Sequence, residues 1–202
     1  MKTQQEIKVK EYKNKKNKKQ KEETNYDSEA EFSDTEAGSI LEVDTSESLL
    51  KEIANTLSSI ISKNKELKTS KNENSPFNHI HAPKITLFDY LLRIKKYSGV
   101  ENSTLINALI YIDRICKRNS INLTKYNIHR LLFAAILVSI KYNEDIIYSN
   151  SFYSKIAGLT SNELINLEKT FLEMIKFNLF VTDEIYKKYY EYLNYFQKHP
   201  SN

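Results

Sequence analysis

Apolar residues are sparse and unordered over the first 45 positions of the 202-residue chain. From Ser46 they recur at helical spacing. Leu49, Leu50, Ile53, Leu57, Ile60 and Ile61 share one face, with Lys51, Glu52, Asn55 and Lys63 on the other, which predicts one amphipathic helix ending near Asn64. A polar stretch holding Pro76 and Pro83 follows and reads as a linker. Beyond Pro83, Leu87, Tyr90, Leu91, Ile94 and Tyr97 form a helix face that Gly99 closes as a cap. Ser103 is placed to cap a second helix through Leu105, Leu109, Ile112 and Ile115. A third starts near Asn127 and is apolar on almost every side from Leu131 to Ile140, which predicts that the others wrap it. A short element, Phe152 to Ala157, stops at Gly158. A fifth helix, capped by Ser161, turns Leu164, Leu167, Phe171, Leu172 and Ile175 inward, and a Tyr-rich amphipathic stretch from Glu184 to Phe196 ends the series.

No strand-length alternation competes, so the expected fold class is all-α. The organisation read from the pattern is a disordered charged tail over 1–45, a helix over 46–67 and a linker over 68–83. A five-helix domain over 84–181 and a C-terminal helix and tail over 182–202 complete it. Three Gly and three Pro in the whole chain suit long helices better than a turn-rich sheet.

Charge changes the picture only at the N-terminus. Eight lysines between Lys8 and Lys21 form a basic block, and residues 22–47 are acidic with no Lys or Arg. Such segregated blocks usually mark solvated tails that cannot offset ordering entropy by burial. The lysines at 13–19 read as a nuclear import signal, a weak nucleic-acid contact or simply a solvating tail. Ser33 and Thr35, among acidic neighbours, are candidate sites for an acid-directed kinase. The one cysteine, Cys116, excludes an internal disulfide framework. With no membrane-length apolar run and no signal-peptide pattern, the expectation is a soluble intracellular protein, cytoplasmic or nuclear.

A catalytic reading finds little to hold. Gly38, Gly99 and Gly158 are isolated, so no phosphate loop is present. His79 and His81 make a lone His-x-His, two ligands short of a zinc site. His129 reads as a packing or capping residue, Cys116 as a small core residue, and Glu144 with Asp145 as a helix end. No cofactor, no metal and no enzymatic chemistry of the chain's own are expected.

Several segments carry a resemblance. Ile85-Thr86-Leu87-Phe88-Asp89-Tyr90-Leu91-Leu92-Arg93-Ile94 with Lys96-Tyr97 resembles the first box helix of the Pho80-like (P/U-type) cyclins. Ala108-Leu109-Ile110-Tyr111-Ile112-Asp113-Arg114 is similar to that family's second helix. Asn127 to Leu132 with Ser139-Ile140-Lys141-Tyr142 is similar to the third, Phe152 to Gly158 to the fourth, and Leu167-Glu168 with Phe171-Leu172 to the fifth. The helix from Leu49 resembles the one these cyclins carry before the box. The likeness covers about 48–181. One departure is Ile140, where the family usually has a small residue, so packing of the third helix is adjusted there.

The resemblance implies a single cyclin box and a regulatory subunit that binds and activates a cyclin-dependent protein kinase catalytic subunit. It would do so by holding the kinase's αC helix in the active position, with no membrane or direct nucleic-acid partner. It places the kinase-capturing pair at Lys141 and Glu168, ringed by Val138, Tyr142, Leu172, Phe177 and Leu179. Read without the resemblance, the pair is an internal ion pair or two solvated charges, and Val138 and Leu172 are ordinary core. Asp113 and Arg114 are expected to make contacts inside the box. A cyclin-fold transcription or scaffold protein without kinase activation is the alternative.

Overall fold

The structure is a computed structural model that describes the backbone of residues 40–64 and 75–198, with side chains for 47–64 and 75–195. The charged tail with its lysine run, Ser33 and Thr35 lies outside the described residues, as do 65–67 of the expected first helix and 68–74 of the linker. Among the described residues there are seven helices and no strand: α1 (Ile40–Asn64), α2 (Leu87–Ser98), α3 (Asn102–Asn119), α4 (Ile128–Asn143), α5 (Asn150–Ala157), α6 (Ser161–Ile175) and α7 (Asp183–Lys198). None is long and apolar enough to cross a membrane.

Helix α1 starts six residues ahead of the Ser46 expected from the pattern, because a helix can run beyond its apolar stripe without leaving a periodic trace. Its buried Leu49, Leu50, Ile53 and Leu57 pack on α2 and α7. At the centre lies α4. All ten residues from 131 to 140 are buried, and the helix is clasped by α3 on one side and α6 on another. The core is built of aliphatic side chains with a few large rings, among them Tyr111, Phe133, Tyr153 and Phe171.

Helix ends follow local chemistry. Thr86 accepts the N–H of Asp89 and begins α2, and Gly99, at φ 67°, ends it in the left-handed region that glycine enters without a Cβ penalty. Two expected caps move. The N-cap of α6 is Thr160, not Ser161, because Thr160 and Glu163 complete a reciprocal capping box; Ser161 lies within hydrogen-bond distance of Ser154 instead. Helix α3 starts from Glu101 with no side-chain cap, and Ser103 donates to the Glu101 carboxylate at 3.1 Å.

The described part of the expected linker is not loose. Phe77 is buried and meets Phe171 of α6 edge to face, with ring centroids 6.4 Å apart. The His79 N–H donates to the Tyr126 carbonyl at 2.8 Å, and Arg130 of α4 donates to the Pro76 carbonyl at 2.9 Å. Residues 75–86 therefore form a strap across α4 and α6. His129 and Arg130 sit beneath it. His129 is buried, with Nε2 3.1 Å from the Ile85 carbonyl, and Arg130 also reaches Glu163 at 2.9 Å. His79 and His81 belong to no cluster of three or more metal-ligating side chains among the described residues.

Candidate partner-binding site

Where the buried run of α4 ends, the next residue is Lys141. Its Nζ lies 2.7 Å from Glu168 Oε1 and 2.8 Å from Oε2 in α6, and 2.8 Å from Asn150 Oδ1 at the start of α5. Three helices thus converge on one ammonium, whose three donors are all engaged. The pair is partly shielded, with side-chain exposures of 28% for Lys141 and 15% for Glu168. A cation in the last turn of α4 also faces the negative end of that helix's dipole. The Glu168 carboxylate has four lone-pair sites, two of them free once Lys141 is bound. An approaching main chain can donate its N–H groups there, and its carbonyls can take the donor that Asn150 now occupies.

The apolar residues expected around the pair divide. Tyr142 is 51% exposed and Phe177 68% exposed, while Leu172 and Leu179 are half-buried against the core. Val138 is a correction: at 2% exposure it lies in the core and offers no surface, because α4 is enclosed on that side as well.

Phe177 owes its exposure to an unusual turn. Helix α6 ends with Lys176 and Phe177 both at φ 54°, two consecutive left-handed residues without a glycine. The turn closes by Phe177 N–H to Leu172 carbonyl at 3.1 Å and Lys176 N–H to Glu173 carbonyl at 3.2 Å. Such conformations store strain of roughly 1–2 kcal/mol per residue and persist only where surrounding contacts hold them.

Those contacts come from α3. The Tyr111 hydroxyl donates to the Leu179 carbonyl at 2.8 Å, and the Arg114 guanidinium donates to the carbonyls of Asn178 at 2.8 Å and Phe180 at 2.9 Å. Asp113 points elsewhere, accepting from Lys117 and from the Tyr189 hydroxyl of α7, both at 2.7 Å. Burial and that bond to the Asp113 carboxylate raise the Tyr189 phenol above its ordinary range. Cys116, one turn on, is pushed up to about 12 by burial and the Asp113 charge, so its thiol stays protonated at neutral pH. Asn150 and Tyr111 carry no signal in the apolar pattern; Asn150 is a polar residue directly after Ser149, the cap of α5.

The described residues form an all-α domain. One half-shielded ion pair and two exposed aromatic rings, Tyr142 and Phe177, stand on or just past the helices that wrap or form the core. The family model for Cyclin matches residues 4–179. Cyclin-U4-1 of Arabidopsis thaliana is 36% identical over 120 residues, covering 59% of this chain and 59% of that protein. The PHO85 cyclin-like protein psl1 of Schizosaccharomyces pombe is 36% identical over 115 residues, 56% of this chain and 47% of the relative. PHO85 cyclin-7 of Saccharomyces cerevisiae is 35% identical over 121 residues, 54% of this chain and 42% of the relative. The chain belongs to the cyclin family, in its Pho80-like branch. The matched part spans about half the length of these relatives, from 42% to 59%.

Proposed function

We propose that this chain is the regulatory subunit of a cyclin-dependent protein serine/threonine kinase, binding the catalytic subunit inside the cell and switching it on. The observation that carries the reading is the Lys141–Glu168 pair, held at 2.7 Å where three helices meet, with exposed Tyr142 next in the chain to Lys141 and exposed Phe177 just past the end of the helix that carries Glu168. An ion pair serving only the fold has no need of exposed aromatic neighbours. A recognition site needs both: rings to bury, and a polar pair that fixes register by meeting main-chain groups.

Activation follows from selective binding. A protein kinase works only when its β3 Lys pairs with the Glu of its αC helix. A partner that binds only the inward αC shifts the population, and moving it from 1:99 to 99:1 takes roughly 5.5 kcal/mol of differential affinity. Phe177, Tyr142, Leu172 and Leu179 supply apolar area. Lys141 and Glu168 supply acceptor and donor contacts whose loss at a desolvated interface costs about 2–5 kcal/mol. The cyclin contributes position and no reacting group, and nothing in this role calls for a nucleic-acid or membrane partner.

The test uses the full chain co-expressed with a recombinant cyclin-dependent kinase of the PHO85 type, the name that the two fungal relatives carry. Lys141→Ala and Glu168→Ala are expected to keep wild-type helicity and melting behaviour while losing co-purification and peptide phosphorylation. A double variant that still binds and activates the kinase would sink the assignment.

A further inference from the structure

Arg114 and Tyr111 lie on α3, outside the proposed kinase-facing pair, yet their polar atoms end on three successive carbonyls of the turn that displays Phe177. We propose that Arg114, seconded by Tyr111, is a positioning residue for partner recognition: it locks the 177–180 turn in the shape that presents the Phe177 ring. This rests on the reading above and deepens it.

Besides the Leu179 side chain, half-buried against the core, the turn has little else to hold it. Past the α6 cap, Asn178 N–H bonds to the Ile175 carbonyl at 3.2 Å and Leu179 N–H folds back on the Phe177 carbonyl at 3.0 Å. Phe177 and Phe180 are each 68% exposed, so burial of their rings cannot fix the backbone. Left-handed φ at Lys176 and Phe177 opposes it. The guanidinium answers with its planar fork, one nitrogen on the carbonyl of 178 and the other on that of 180, while the Tyr111 hydroxyl takes 179 between them. The fork depends on this geometry, so a lysine, a single point charge, cannot reproduce it.

The two Arg114 bonds are exposed, and water replaces them when the guanidinium is removed. The fold therefore loses little. Recognition loses preorganisation, since a turn that wanders in the free protein must be ordered at the moment of binding.

The experiment compares the full-length wild type, Arg114→Ala, Arg114→Lys, Phe177→Ala and Lys141→Ala. Affinity for the recombinant PHO85-type kinase is measured together with amide hydrogen exchange of the free chain. Expected are a melting temperature near wild type for both Arg114 variants, faster exchange confined to 177–181, and affinity weakened roughly tenfold, with no rescue by lysine. Wild-type affinity in Arg114→Ala, while Phe177→Ala and Lys141→Ala fail to bind, overturns the clamp and leaves the binding reading intact. Unchanged exchange at 177–181 also overturns it. Indifference of all four variants overturns the binding reading itself. If Arg114→Ala does not fold, Tyr111→Phe, which deletes one hydroxyl and keeps the ring, carries the same comparison; failure of both to fold assigns these contacts to stability and overturns the proposal.

Discussion

Lys176 carries a Cβ in backbone territory where glycine is the ordinary occupant, at the residue just past α6. Its backbone closes the helix, and its side chain is exposed. Lys176→Gly therefore removes the left-handed penalty at the expense of a more flexible unfolded chain. The expected net effect is a gain of about 0.5–1 kcal/mol in denaturant-derived stability; a loss would mean that the lysine side chain holds the turn. Lys141 and Glu168 invite the opposite experiment. Exchanging the charges, Lys141→Glu with Glu168→Lys, preserves an ion pair between α4 and α6, so folding is expected to survive. Kinase activation is not, because the donors and acceptors offered to the partner trade places. Full activation by the swapped protein would leave the pair as an internal brace and nothing more.

Among the elements, the strap over 75–86 shows how far a periodic reading goes. The helices were legible because each buries a stripe: Leu87, Tyr90, Leu91 and Ile94 in α2, and Leu164, Leu167, Phe171 and Ile175 in α6 are the buried residues that spacing picks out. Phe77 was not legible. It is one aromatic among polar neighbours, with no period to join, and its partner Phe171 is distant in sequence. Such long-range pairs leave no trace in local pattern. Ser161 misled for a related reason: it is a good capping residue, but Thr160 has the Glu three positions on, and the reciprocal bonds decide. Because Phe77 anchors the strap, Phe77→Ala is expected to destabilise by about 3–5 kcal/mol and to make 75–86 cleavable under native conditions by limited proteolysis. Unchanged stability would mean that Arg130 and the backbone bonds hold the strap unaided.

On the scale of the whole molecule, the strap makes stability sensitive to acid. Burial holds the imidazole of His129 below its ordinary 6.5, and burial together with Arg130 and His129 does the same for His79. The unfolded chain binds protons near 6.5 and the folded chain only at lower pH. Stability is therefore full above 6.5 and falls as pH drops toward the depressed folded values. Glu163 adds a second step. Its carboxylate, lowered by the Thr160 N–H and hydroxyl and then by Arg130, stabilises fully above its ordinary 4.5 and loses that contribution as pH falls through its folded value. Urea midpoints measured from pH 7.5 to 5 are expected to decline, and His129→Gln to flatten the decline; an equal slope in the variant would remove His129 from the account. The candidate site was legible in the same uneven way. Lys141 and Glu168 came from a positional likeness, and the structure brings them together, whereas Val138 could not be told from core by type alone. The clamp from Arg114 and Tyr111 needed coordinates, since its acceptors are main-chain carbonyls that no sequence displays. The enclosed run of α4 has a last implication, for how such a chain can vary. Each added residue turns a helix by about 100° and lengthens it by 1.5 Å. With ten successive positions packed on all sides ahead of it, Lys141 takes its bearing from counting along that rod. Swaps that conserve volume inside the rod leave the ammonium where it is, whereas inserting or deleting a single residue swings it more than a quarter of a turn off Glu168. Drift in composition is tolerable there, and drift in length is not.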